Sequence, residues 1–275
     1  MLMRNPAYRR GEPPSPRAAA LEKATEERIL SLRRWSDKLF SVRTTRGAAF
    51  RFEPGQFARL GISAGDRGGI VWRPYSMVSA VYDEHLEFLS IVVPGGAFTT
   101  RLARAAAGDP LYVEKRPYGY LTTSRFTGGA DLWLLASGTG VAPFLSILRD
   151  PDTWRRFDNL VLAYSVREAR DLAYRETIEA LAADPLLAEG GARFHFVPVV
   201  TREAVEGALD RRLTELLRDG ELERHVGLPM DPERARLLIC GNPQMLDDLR
   251  DVLRERGLRI DRSREPGHFA TENYW

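Results

Sequence analysis

The chain has 275 residues, 44% hydrophobic and 28% charged, with a net charge of +2 at pH 7. That length accommodates two domains, and a near-neutral balance with no Lys/Arg block interleaved with aromatics gives no ground for a nucleic-acid partner. The single cysteine, Cys240, excludes an intramolecular disulfide and any iron–sulfur cluster held by cysteines of this chain alone, and it suits a reducing, cytoplasmic setting. The longest apolar stretch, 132–148, is broken by Gly138-Thr139-Gly140 and is too short for a bilayer span, so no stable membrane insertion is expected. The arginines near the start (Arg4, Arg9, Arg10, Arg17) accompany no apolar run, so no secretory signal is expected.

Residues 1–22 are rich in Pro and Arg without periodicity and read as a disordered N-terminal arm. From 23 to 127 the pattern is short and strand-like. Ile29–Leu32, Leu39–Arg43, Ala49–Phe52, Gln56–Leu60, Arg73–Val78, Leu86–Val93 and Leu111–Glu114 are the predicted strands, separated by Gly and Pro turns. Strands at this spacing predict a small antiparallel β-barrel, with one short helix between Phe98 and Ala107. From 128 to 275 strands and helices alternate. The predicted strands are 132–136, 160–164, 194–200 and 236–240; the predicted helices are 142–149, 174–183, 212–219 and 243–256. That alternation predicts a doubly wound parallel α/β domain, so the fold class is a two-domain β plus α/β protein.

The densest chemistry lies between the first strand and first helix of the second half. An apolar strand stops at Ser137; Gly138, Thr139 and Gly140 form a turn; an apolar helix with Pro143 in its first turn begins at Val141. Glycines let a ligand approach the backbone, and a first helical turn offers N–H groups to an anion such as a pyrophosphate. A turn of this kind equally serves as a plain α/β connection. The second strand of this half ends in Ser165 and Arg167, where a dinucleotide-binding unit often carries an acid for the ribose diol. A hydroxyl and a guanidinium suit a 2′-phosphate better, and Arg202 and Arg212 follow the third strand. Each of these arginines also reads as an ordinary surface residue.

In the first half, Arg73-Pro74-Tyr75-Ser76 offers a cation, an edge-strand proline, an aromatic ring and a hydroxyl, though by pattern alone it is a barrel strand with a buried Tyr. Val92 and Val93 lead into Gly95-Gly96-Ala97-Phe98-Thr99, a glycine turn before a helix start, which reads as an anion site or as a plain capped helix. The four histidines (His85, His195, His225, His268) are scattered and suggest no metal site.

Taken in order, Arg73-x-Tyr75-Ser76, Gly95-Gly96 with Thr99, Gly138-Thr139-Gly140-Val141-Ala142-Pro143 and Cys240-Gly241-Asn242-Pro243-Gln244-Met245 resemble the ferredoxin–NADP reductases, in particular the bacterial ferredoxin/flavodoxin type. Pro266-Gly267-His268-Phe269 and the terminal Tyr274-Trp275 are similar to the tail of one subgroup, and the resemblance covers about residues 25–275. It implies that the barrel binds FAD through Arg73, Pro74, Tyr75, Ser76 and residues 92–99. Tyr75 would stack on the isoalloxazine, Ser76 would lie near N5, and Arg73 and the Thr99 hydroxyl would reach the pyrophosphate. Many such reductases have Ser-Pro where Thr99-Thr100 stands here.

The resemblance also implies NADP(H) in the second half. Gly138, Thr139, Gly140, Val141 and Pro143 would lie near its pyrophosphate, and Ser165, Arg167, Arg202 and Arg212 near its 2′-phosphate. Gly241, Asn242 and Met245 would complete the site, with Cys240 beside the nicotinamide. Tyr274 would cover the flavin and Trp275 the FAD adenine, through aromatic stacking. Ser76, Tyr75, Cys240 and Tyr274 are thus the expected catalytic set. The implied reaction is hydride transfer from NADPH to flavin N5 and single-electron exchange with an acidic ferredoxin or flavodoxin. Arg104, Lys115 and Arg116 are candidates for steering that partner. A monomer is expected. The competing readings are a flavin reductase or oxygenase reductase component, and a non-catalytic flavin-binding electron-transfer subunit. The last, like fused oxygenase reductases, ordinarily needs cluster-binding cysteines that this chain lacks.

Overall fold

The computed structural model describes residues 18, 22–65, 69–262 and 264–273. The arm expected over 1–22, apart from Ala18 and Glu22, and the terminal Tyr274 and Trp275 lie outside the described residues.

The first half is an antiparallel sheet of β1 (Ala24–Arg34), β2 (Leu39–Thr45), β3 (Phe57–Ser63), β4 (Ile70–Ser76), β5 (His85–Ile91) and β6 (Pro110–Glu114), in the order β4-β3-β6-β1-β2-β5. Alternation drives it: Ala58, Leu60 and Ile62 of β3 and Leu86 and Phe88 of β5 turn into one core with Phe40 and Val42. The sheet curls until Met77, just past β4, bridges to Phe88, and Val78 N–H reaches Glu87 O at 2.8 Å. That contact closes the barrel at one end and leaves β4 as a free edge over Ile70–Ser76. Pro74, which has no N–H to donate, sits on that edge strand.

Two expectations for this half are corrected. Ala49–Phe52 is not a strand. The Arg46 guanidinium takes the Phe50 carbonyl at 3.0 Å and also binds Val81 O and Asp83 O, so the segment is a loop pinned by one side chain. Phe50 is buried as loop packing, which mimics strand alternation. The helix between Phe98 and Ala107 shrinks to one turn, α1 (Thr99–Leu102). β1 is longer than expected because its first half, Ala24–Arg28, pairs with β6 and its second half with β2.

The second half is a parallel sheet of β7 (Asp131–Ser137), β8 (Asn159–Val166), β9 (Arg193–Val200), β10 (Ala235–Cys240) and β11 (Phe269–Glu272), ordered β11-β10-β7-β8-β9. The helices are numbered in chain order: after α1 come α2 (Ala142–Leu148), α3 (Pro151–Arg156), α4 (Arg175–Glu179), α5 (Pro185–Ala188), α6 (Leu213–Arg218), α7 (Glu221–Val226) and α8 (Pro243–Glu255). Both sheet faces are buried. Leu132, Leu134 and Ala136 of β7 pack with α2, while Trp133 and Leu135 pack with α6 and α8. The chain winds outward from β7 to β9, then returns to place β10 on β7's other side. The carboxyl ends of β7 and β10 are therefore the switch point at which open α/β sheets bind ligands. β11, α3, α5 and α7 were not expected from the sequence.

The halves pack directly. β5 is buried on both faces: Leu86 and Phe88 point into the barrel, while Leu89 joins the core of the second half. Across this seam Ser146 Oγ donates to Ser79 O at 2.7 Å, and Arg149 grips Asp83 with two bonds of 2.9 and 3.0 Å. Tyr174 OH donates to Glu87 Oε1 at 2.7 Å.

Candidate functional site

The free edge of β4 lies near β5. Tyr75 reaches across to β5, its hydroxyl 3.0 Å from Ser90 Oγ and its ring 5.4 Å from that of Phe98. Burial pushes the Tyr75 phenol up, so it stays a neutral hydroxyl. Ser76 is buried, and its Oγ has no hydrogen-bond partner among the described residues. A buried hydroxyl left unpaired costs about 1–3 kcal/mol, so this atom is one that a bound group with a hydrogen-bonding ring would satisfy. Arg73 is exposed, and among the described residues its guanidinium binds only the neighbouring Trp72 O, at 2.7 Å.

Past β5, Val92 packs on the barrel core while Val93 is largely exposed. Gly95 adopts φ +73°, a left-handed turn that favours glycine, and leads through Gly96 and Ala97 into α1. Two expected side chains do other work. The Thr99 hydroxyl accepts Val93 N–H at 3.0 Å and so locks the turn rather than reaching outward. The Phe98 ring is buried in the barrel core. Any anion binding by 95–99 therefore falls to the backbone.

At the switch point lies a groove of about 640 Å³. It brings together Gly138, Thr139, Ser165, Arg167, Arg202, Arg212, Asn242 and Met245, all expected from the sequence. β8 and β9 stay joined past their ends, through Thr201 N–H to Val166 O at 3.1 Å and Arg202 N–H to Arg167 O at 3.0 Å, which sets Arg167 and Arg202 side by side. Arg212 immediately precedes α6. These three guanidinium groups are exposed, and none has an ion pair among the described residues. Asn242 caps α8, its Oδ1 accepting Gln244 N–H at 2.9 Å.

Other expected residues shape the groove without lining it. Val141 and Pro143 are buried. A Cβ on Gly140 would sit 2.2 Å from Cys240 O, and one on Gly241 2.1 Å from Ser137 Oγ, so both glycines are there to let β7 and β10 approach. Cys240 is fully buried at the end of β10, paired in register with Ala136 and Glu272. Burial pushes its thiol well up, which makes it a neutral packing group here rather than a nucleophile.

Sequence reasoning missed the barrel's share of the groove: Lys38, Leu39 and Ile91 line it. Only the register, which pairs Leu39 with Ile91, brings these distant segments together. Ile91, in the groove, follows Ser90, the hydrogen-bond partner of Tyr75, so the groove and the Tyr75 edge of the barrel meet near the end of β5. No helix among the described residues is long and apolar enough to cross a membrane.

Residues 134–251 match the family described as the oxidoreductase NAD-binding domain. The chain is 43% identical over 251 residues to ferredoxin–NADP reductase A of Sorangium cellulosum, covering 90% of this chain and 89% of that one. It is 37% identical over 247 residues to flavodoxin/ferredoxin–NADP reductase of Rhodobacter capsulatus, covering 89% and 90%. A crystal structure of a ferredoxin NADP+ reductase from Neisseria gonorrhoeae, with bound FAD and NADP, superposes with a TM-score of 0.85 at 36% identity, covering 92% of this chain and 99% of that one.

Proposed function

This chain belongs to the ferredoxin–NADP reductase family, and from that premise we propose that it is an FAD-dependent reductase moving electrons between NADPH and ferredoxin or flavodoxin. The observation that carries the reading is the approach of two features near the end of β5. One is the free β4 edge with a buried Ser76 hydroxyl that has no hydrogen-bond partner among the described residues; the other is a switch-point groove ending in three arginines without ion pairs among those residues. Bound at the β4 edge, FAD would supply the exchange between a two-electron donor and one-electron carriers, which no side chain of this chain offers.

The protein's own residues bind and orient. Ser76 would hydrogen-bond the flavin ring, and Tyr75, neutral and held by Ser90, would give it a face. Arg73 and the backbone of 95–99 would hold the FAD diphosphate. In the groove, Gly138 and Thr139 let the second dinucleotide's diphosphate close on the backbone, while Arg167, Arg202 and Arg212 would take a 2′-phosphate. A diol there would leave three positive charges unmatched, hence the preference for NADPH. Cys240, buried at the end of β10, packs its carbonyl against Gly140 of the turn.

We assign FAD binding to 23–127 and NADP binding to 128–275, with Arg104, Lys115 and Arg116, all exposed, steering an acidic carrier to a monomeric cytoplasmic enzyme. The test is NADPH-driven reduction of a purified ferredoxin and a purified flavodoxin by the FAD-loaded protein. Turnover with either carrier supports the reading. Turnover with free flavin as acceptor but with neither carrier would favour a flavin reductase.

A further inference from the structure

We propose that Lys38 is the barrel's contact to the diphosphate of the nicotinamide dinucleotide, closing the groove opposite Gly138 and Thr139. The inference rests on the reading of the groove as a dinucleotide site and adds a residue from the other half of the molecule.

Lys38 ends the tight turn between β1 and β2. Trp35 N–H and Ser36 N–H both donate to Leu39 O, at 2.9 and 3.2 Å, and Ser36 Oγ accepts Leu39 N–H at 3.3 Å. The Lys38 carbonyl accepts Val92 N–H at 2.7 Å, which ties the turn to the end of β5. The backbone of Lys38 is thus held from two strands, while its side chain is exposed and lines the groove. Leu39 pairs in register with Ile91, and β5 packs against the 138–141 turn. The position after Lys38 is therefore coupled directly to the turn where the diphosphate is expected.

Charge placement gives the side chain a purpose. The three arginines of the groove lie beyond β8 and β9 and before α6, at the end suited to the 2′-phosphate. Among the described residues the second half lines the groove with no cation besides those three arginines, while Asp171 and Asp248 also line it. A diphosphate on the turn brings further negative charge that backbone N–H groups alone would have to balance. Lys38 has no ion pair among the described residues, so it brings an unneutralised charge. A lysine suits this role: its flexible stem carries a point charge from a fixed backbone to a phosphate without needing bidentate geometry. The contact also ties the barrel to the dinucleotide, so that binding draws on both halves.

The experiment measures dissociation constants of NADP+, NADH and adenosine 2′-monophosphate with the FAD-loaded full chain, for the native protein, Lys38→Ala and Lys38→Arg. Both dinucleotides carry the diphosphate and the monophosphate does not. Lys38→Ala is expected to weaken NADP+ and NADH alike, by about fivefold, to leave the monophosphate unchanged, and to flatten the salt dependence of NADP+ binding. Lys38→Arg is expected to restore most of the loss. Unchanged dinucleotide affinities in Lys38→Ala would overturn the assignment, as would a loss seen only in the rate of carrier reduction, which would make Lys38 a docking residue. Failure of the native protein to bind NADP+ at all would instead overturn the reading of the groove.

Discussion

Replacing Tyr174 by Phe tests the seam that holds the two halves in register. Among the described residues Tyr174 is the single non-glycine with positive φ, at +62°. A left-handed conformation costs a residue with a Cβ about 1–2 kcal/mol, so something must hold it there. Its ring lies 4.4 Å from that of Trp35, and its hydroxyl donates to Glu87 Oε1 at 2.7 Å. The Glu87 side chain is only 5% exposed, and its other oxygen is held by Arg43 Nε at 2.8 Å. Burial, with Glu87 beside it, pushes the Tyr174 phenol well up, so it remains a donor across the working pH range. Tyr174→Phe keeps ring and backbone and deletes one hydrogen bond to a buried carboxylate. A bond to a charged group is worth about 1.5–3 kcal/mol, so we expect a loss of about 2 kcal/mol in denaturant unfolding and a fall in Tm of about 4–8 °C. Paired with Glu87→Gln in a double-mutant cycle, the two changes should be strongly non-additive. A Tyr174→Phe protein within about 0.5 kcal/mol of the native one, or a strictly additive cycle, would refute the reasoning.

Three further outcomes are expected. Arg167→Ala should weaken NADPH by about tenfold and NADH hardly at all in binding titrations; equal losses would remove the 2′-phosphate assignment. Gly140→Ala puts a Cβ 2.2 Å from the backbone oxygen of Cys240, so it should lower both thermal stability and NADP+ affinity; native behaviour in both would contradict the packing role of that glycine. Cys240 should resist iodoacetamide at pH 8 in the folded protein and react once unfolded. Its pKa is raised by burial from an ordinary 9.0, so the folded state holds the proton more tightly than the unfolded one. The stability this contributes is complete below pH 9 and is lost as pH rises further, and Cys240→Ala should remove that part of the decline.

The second half was legible because its strands are buried on both faces. Leu132–Ala136 and Leu160–Tyr164 read as unbroken apolar runs, and the Gly138-Thr139-Gly140 turn falls where the first run stops. β1 was half hidden because Glu26, Glu27 and Arg28 look like loop residues. The strand nonetheless runs through them, and Glu27 is buried, accepting the Thr45 hydroxyl. Phe50 and Phe52 misled in the opposite sense, since Arg46 captures the backbone that a strand would need. β11 is four residues long, too short for periodicity to register. In the site, the arginines at strand ends could be read from their position in the α/β unit. Lys38 and Ile91 could not, because their place in the groove depends on the β2–β5 register and on how the halves pack. The Thr99 hydroxyl was legible as a cap but not as one that turns back on Val93.

The visible spectrum of the purified protein, followed during anaerobic addition of NADPH and separately of NADH, tests the central claim most directly. A flavin spectrum that bleaches far more readily with NADPH than with NADH is the expected result. A colourless protein that also refuses added FAD would contradict it.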